Sequence, residues 1–153
     1  MGSMKVCETC GEPIAAAART CPYCGTAQAA GPARRRDAPD IESLDIERGL
    51  PTVDEALARL DRLFAAALAR GTPLLRVVHG YGSKTGGNAP IRHAARARMG
   101  RWLAEGRIKG MTRGEEYNPA VSRASRELQR RHPVLTASEA ADRRNPGITF
   151  LET

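Results

Sequence analysis

Apolar residues recur through positions 41–153 in blocks of two different periods, and the order of those blocks predicts the fold. Ile41 to Glu47 is short, rich in branched side chains and followed by Gly49, so it reads as a strand. Thr52 and Glu55 then form a capping box, in which each side chain takes a backbone N–H of the first helical turn. Val53, Ala56, Leu57, Leu60, Leu63, Phe64, Ala67 and Leu68 follow at helical spacing, and Gly71 with Pro73 ends the helix. Leu74 to Val78 is an apolar run of strand length, expected to be covered on both faces. Strand, helix and strand in this order predict a parallel pair with a right-handed crossover.

Further on, Ile91, Ala95, Met99, Trp102 and Leu103 make one stripe of a second helix, with Arg92, Arg96 and Arg107 on a neighbouring edge. Ile108 to Met111 is a third strand candidate. Asn118-Pro119 opens a helix over Ala120–Arg131, with Val121, Ala124 and Leu128 on one face and Pro133 as its stop. Asn145-Pro146-Gly147 turns into a last strand, Ile148–Leu151. The expected fold is a small two-layer α/β sandwich of order β-α-β-α-β, with an extra helix and a final strand. Aromatic residues make up only 4% of the chain, so Leu, Val, Ile and Ala must build the core around Phe64 and Trp102.

A different chemistry precedes this domain. Cys7-x2-Cys10 and Cys21-x2-Cys24 are the only four cysteines, and each pair is followed by a glycine, Gly11 or Gly25, that turns backbone N–H groups toward the sulfurs. Two such turns facing each other offer tetrahedral sulfur coordination to zinc; two disulfides are the competing reading, favoured only in an oxidising compartment. Four protein ligands close the site, so the zinc is expected to be structural. Residues 4–26 are therefore taken as a zinc ribbon, 27–40, with the Arg34-Arg35-Arg36 run, as a linker, and 41–153 as the main domain. Met1-Gly2-Ser3 ahead of Met4 reads as a cloning remnant. No apolar run is long enough to span a bilayer, and a cytoplasmic location is expected.

The formal charge of +7 and a pI near 9.8 favour an anionic partner. Only Lys5, Lys84 and Lys109 are lysines among 24 basic residues, and arginine suits bidentate contact with phosphate. The place to hold phosphate is the stretch VVHGYGSKTGGNAPIR from Val77 to Arg92, where an apolar run ends in His79-Gly80-Tyr81-Gly82 and a glycine-rich loop feeds a helix. Backbone N–H groups at such a turn can hold an anion. An imidazole beside them can hold or move a proton. His79 is equally able to cap the strand through satisfied hydrogen bonds, and Tyr81 either stacks on a base or packs over the loop. Asp45, at the end of the neighbouring strand, is a partner for His79 or a brace for its own loop. His93 and His132 read as surface helix residues. The order HGYGSKTGG is neither a P-loop nor a dinucleotide fingerprint.

Three blocks carry a resemblance to a known family. LDIERG near the domain start, VVHGYG leading to Ile91-Arg92, and the closing NPGITFLE resemble the LDxHG, HGxG and G-[VI]-T signatures of the small MutS-related (Smr) domain. The first block departs from the pattern: Ile46-Glu47-Arg48 replaces x-His, with one residue added, and Arg48 stands as a substitute, since some members carry arginine there. The resemblance implies nucleic-acid binding, and in several members endonuclease activity on DNA or RNA. It points to Asp45 and His79 as the catalytic pair, and to Gly80, Tyr81, Gly82, Ser83, Lys84, Gly86, Gly87, Arg92, Arg96 and Arg48 as phosphate contacts. Two readings stay open: an endonuclease, which magnesium would serve, and a non-catalytic adaptor for nucleic acid or a ribosomal surface.

Overall fold

The computed structural model describes residues 4–16, 18–28, 38–82 and 88–153. The chain divides into two compact units, Met1–Arg36 and Asp37–Thr153. In the first, strands β1 (Met4–Val6) and β2 (Pro13–Ala15) pair antiparallel, and Cys7, Ile14 and Cys21 form its small core.

The second unit holds a four-stranded mixed sheet. Strand β3 (Glu42–Asp45) runs parallel to β4 (Leu74–Val78), with helix α1 (Val53–Arg70) between them in the chain. Strand β6 (Ile148–Glu152) lies between β4 and β5 (Gly110–Arg113), antiparallel to both. Both ends of α1 are as the sequence requires: Thr52 and Glu55 exchange their reciprocal bonds, and Gly71 closes the helix in the left-handed region at φ 76°. Helix α2 (Pro90–Ala104) packs beside α1, and together they bury one face of the sheet through Leu60, Phe64, Ala95, Met99 and Trp102 against Leu44, Leu75, Val77 and Leu151. Phe64 and Trp102 stack at 4.0 Å, a contact worth about 0.5–1.5 kcal/mol beyond its buried area. The Arg107 guanidinium covers both rings. The extra helix, α3 (Arg123–Arg131), and the 3-10 run Pro133–Ser138 cover the opposite face, where Tyr117, Leu128 and Leu135 meet Leu74, Ile148 and Phe150.

Several boundaries differ from the sequence reading, each for a local reason. Strand β3 stops at Asp45 because that side chain bends the chain, taking the N–H of Glu47 and of Arg48 on Oδ1. Strand β5 begins at Gly110, since Ile108 turns into the core and pairing with β6 opens only at Lys109, whose N–H donates to Glu152. Helix α3 begins three residues later than Ala120: Asn118–Val121 closes a turn of its own, and Ser122 caps the helix by accepting from Ser125. That shift leaves Val121 and Ala124 exposed and buries Ser125 with Leu128. Leu103, expected on the core stripe, is 41% exposed. The β4 run is also not wholly apolar. Arg76 sits in it, bound to Ser138 and Asp142 and lying over Phe150, so a charged group is held in a central strand by partners from the covering layer. A short helix, α4 (Glu139–Asp142), supplies that aspartate.

Candidate functional site

Strand β4 ends in the loop 79–82, and the geometry there explains its glycines. Gly80 and Gly82 both lie in the left-handed region, at φ 70° and 81°. A Cβ on Gly80 would fall 1.7 Å from Glu47 Oε2, and one on Gly82 would fall 2.8–2.9 Å from the backbone and Cβ of Ala89. The loop is clamped from the other side by the Asn145-Pro146-Gly147 turn: the Gly147 carbonyl accepts from the N–H of both His79 and Gly80, each at 3.0 Å, and Asn145 Oδ1 holds Gly147 N.

The His79 ring is 2% exposed and engaged at both nitrogens. Nδ1 lies 2.8 Å from the Gly80 carbonyl and Nε2 lies 2.8 Å from Thr149 Oγ1. A carbonyl can only accept, so Nδ1 carries the proton and Nε2 takes the Thr149 hydroxyl hydrogen. Thr149 in turn accepts from Arg96 Nε at 3.2 Å, and the Arg96 fork grips Glu115 at 2.7 and 2.6 Å. Burial above all pushes the His79 pKa down, to about 4, with Arg96 and Arg92 adding repulsion against the favourable bond to Gly80. The imidazole is therefore neutral at pH 7. Burial pushes Glu115 up, but Arg96 outweighs it and holds the carboxyl below its usual range.

His79 also lines a groove of about 710 Å³, whose other walls come from the bend after β3 and the start of α2. Asp45, Arg48 and Arg92 reach this groove. Helix α2 opens with Ala89 and Pro90, with no N-cap side-chain hydrogen bond and no acidic residue in its first turn, and Ala89 to Arg92 line the groove, so the positive end of the helix dipole lies at its wall. Arg92 sits in that turn, and its Nε is buried with no hydrogen-bond partner among the described residues.

Of the residues expected at the site, Asp45, His79, Gly82, Arg48 and Arg92 meet at this groove. Arg96 does not offer its guanidinium outward: its side chain is 13% exposed and engaged by Glu115 and Thr149. Gly80 lies against Glu47, and Tyr81 is 55% exposed beside Gly147. Ser83, Lys84, Gly86 and Gly87 lie outside the described residues, as does the Arg34–Arg36 run. Sequence reasoning missed Thr149 and Glu115, whose partnership with His79 and Arg96 joins residues far apart in the chain. His132, read as a surface residue, pairs with Glu152 at 2.8 Å; burial pushes Glu152 up, and Arg131 and His132 bring it below its usual range.

In the N-terminal unit the four cysteine sulfurs lie within 4.8 Å of one another. Cys7 and Cys24 are 3.6 Å apart at sulfur and Cys10 and Cys21 3.7 Å, with no disulfide between them. A tetrahedron of Zn–S bonds of about 2.3 Å has edges of about 3.8 Å, so the group fits such an ion. The two knuckles are built alike: Gly11 N donates to Cys7 O and Gly25 N to Cys21 O, while Thr9 N and Tyr23 N reach Sγ of Cys7 and Cys21, each at 3.4 Å. The four cysteines can thus hold a metal ion such as zinc, and they are the one His/Cys/Asp/Glu group so placed among the described residues.

No helix among the described residues is long and apolar enough to cross a membrane. The family model for the Smr domain matches residues 44–148, from β3 to the start of β6. No curated protein and no solved structure is matched by the chain. The match covers the two strand ends, the loop 79–82 and all of α2, and on it the chain belongs to the Smr domain family, whose members are generally nucleic-acid binding and sometimes nucleases.

Proposed function

We propose that this protein binds nucleic acid through a phosphate held at the groove beside loop 79–82, and that it does so as an adaptor, without cutting the strand there. The observation that carries the reading is Arg92. Among the described residues its buried Nε has no hydrogen-bond partner and no carboxylate forms an ion pair with it, and it stands in the first turn of α2, which no side chain caps. A phosphate oxygen would satisfy both the guanidinium and the helix-start N–H groups. Arg48 adds a second positive group on the same groove.

What favours binding over cleavage is the state of the proposed catalytic pair. His79 is neutral, its Nδ1 proton given to Gly80 and its one lone pair, on Nε2, taken by the Thr149 hydroxyl, so neither nitrogen is open to a nucleophile's proton. Asp45 takes two backbone N–H groups of its own loop on Oδ1. Asp45 and His79 are accordingly read as framework, Gly80 and Gly82 as the turn that shapes the cradle, Tyr81 as an exposed stacking surface, and Arg96 as a positioning residue. The four-cysteine module, over residues 4–26, would be held folded by a structural zinc and joined through 27–40 to the domain at 41–153; a ribosomal RNA surface would suit the pair as well as a free strand.

Fluorescence anisotropy with labelled DNA and RNA oligonucleotides, with and without magnesium, tests this. Affinity should fall steeply with salt, and Arg92→Ala should lower the slope of log Kd against log salt by about 1. Intact strands on a denaturing gel are expected. Magnesium-dependent cutting abolished by His79→Asn would overturn the adaptor reading in favour of the endonuclease, and salt-independent affinity would overturn the phosphate site.

A further inference from the structure

The groove has more to it than a phosphate needs. Besides Arg92, its walls include Leu50, Pro51, Val53 and Ile91, and an apolar surface does nothing for a phosphate oxygen. Leu50 in particular is held there against its own preferences. Its φ is 52°, in the left-handed region, directly after Gly49 at φ 84° and directly before a proline, and its side chain is 71% exposed. The left-handed region disfavours a residue with a Cβ, and the position before proline narrows the choice further. The turn is enforced by others: Asp45 Oδ1 holds the N–H of Glu47 and Arg48, and Leu50 N donates to Glu47 O at 3.2 Å. Asparagine or glycine would occupy the same backbone with less strain and no exposed apolar surface. A strained, solvent-exposed leucine at the lip of a groove is the kind of outlier that function maintains.

From this, and resting on the phosphate site argued above, we infer that the groove takes one unstacked nucleotide of a single strand. The base lies against Leu50, Pro51, Val53 and Ile91, and its phosphate meets Arg92. The size suits this occupant, since about 710 Å³ falls within the range of roughly 300–1,000 Å³ typical of sites for single small ligands. The groove offers Arg92 and Arg48 to the phosphate and hydrocarbon to the base face; Asp45 and Glu47 also line it, Asp45 turned onto the N–H groups of its own bend, so the phosphate is seated at Arg92. A duplex keeps its base faces stacked inside and presents only phosphates and edges, so the apolar wall discriminates against it. The substrate class is therefore single-stranded nucleic acid, read without sequence preference because every base has an apolar face.

The test uses the full chain with a labelled single-stranded oligonucleotide carrying one 2-aminopurine, and the same sequence as a duplex. The single strand should bind on the order of ten-fold tighter than the duplex, and 2-aminopurine emission should rise as the base leaves the stack. Leu50→Asn should weaken single-strand binding by on the order of ten-fold, leave duplex binding unchanged, abolish the emission change, and raise Tm, because asparagine accepts the left-handed backbone more readily. Equal affinity for duplex and single strand, unchanged binding by Leu50→Asn, or a lowered Tm in that variant would each overturn the inference, the last by making Leu50 a packing residue. If Arg92→Ala weakens binding but Leu50→Asn does not, the phosphate site stands and the nucleotide pocket falls. If neither oligonucleotide binds, both fall.

Discussion

Acidifying the protein from pH 7 to pH 5 should lower the stability of the main domain by about 2 kcal/mol, with His79 responsible for nearly all of it. The ring is buried, donates to Gly80 and accepts from Thr149, and burial followed by Arg96 and Arg92 takes its pKa from 6.5 to about 4. A base whose folded pKa lies below its unfolded value contributes fully above the unfolded value. As pH falls from 6.5 toward 4, only the unfolded chain takes up the proton, and the contribution is lost. At about 1.4 kcal/mol per pH unit, the loss reaches about 2 kcal/mol at pH 5 and about 3 kcal/mol at pH 4. The carboxylates held below their usual range, Glu115 and Glu152, contribute above pH 4.5 and lose that contribution below it, so they stay out of the window from 6.5 to 5, and comparison with His79→Asn separates His79 from the other two histidines. Urea denaturation followed by the emission of Trp102, the single tryptophan of the chain and a member of this domain's core, reports on that domain alone. Wild type and His79→Asn should diverge in slope between pH 7 and pH 5, the variant losing about 2 kcal/mol less than wild type. A flat wild-type profile, or the same loss in His79→Asn, would refute the buried neutral imidazole.

Two further outcomes check the rest of the frame. Gly82→Ala should destabilise the domain by at least ~1 kcal/mol from the left-handed backbone alone, and more if Ala89 must move, in the same Trp102-monitored denaturation; wild-type stability would sink the account of the loop. A strong zinc chelator should release about one zinc per chain, read by a colorimetric dye, and collapse the amide spectrum of the N-terminal unit while leaving the Trp102 transition in place; an absence of released metal would remove zinc from the module.

Most of the scaffold was legible because its determinants are local. The capping box at Thr52 and Glu55, the left-handed Gly71 and the stripe from Leu60 to Phe64 all act within a few residues, so pattern and structure agree. Where packing overrides a local signal, sequence and structure part: Asn118-Pro119 has the pattern of a helix start, but the burial of Ser125 and Leu128 sets the helix at Arg123, capped by Ser122. Arg76 was read past inside an apolar run because its justification, Asp142, stands 66 positions away. The site divides in the same way. The glycines of loop 79–82 announce themselves, whereas the ring of His79 is governed by Thr149, 70 positions on, and by an Arg96–Glu115 pair that no spacing reveals.

The first motif gives the strongest physical reason to separate binding from cleavage. Where the family pattern places a histidine, this chain bends through Ile46, Glu47 and Arg48. Ile46 is fully buried and extends the pairing with β4 by donating to Val78 O, so it cannot serve as a proton carrier. Glu47 then brings a carboxylate against Gly80, close enough that a Cβ there would collide with it. A carboxylate at that point would repel a phosphate drawn toward Gly80, which on the proposed reading leaves Arg92 as the electrostatically favoured seat. On the reading proposed above, Glu47 favours an anion at Arg92 over one at the Gly80 turn, while the engaged ring of His79 leaves hydrolysis without a free base.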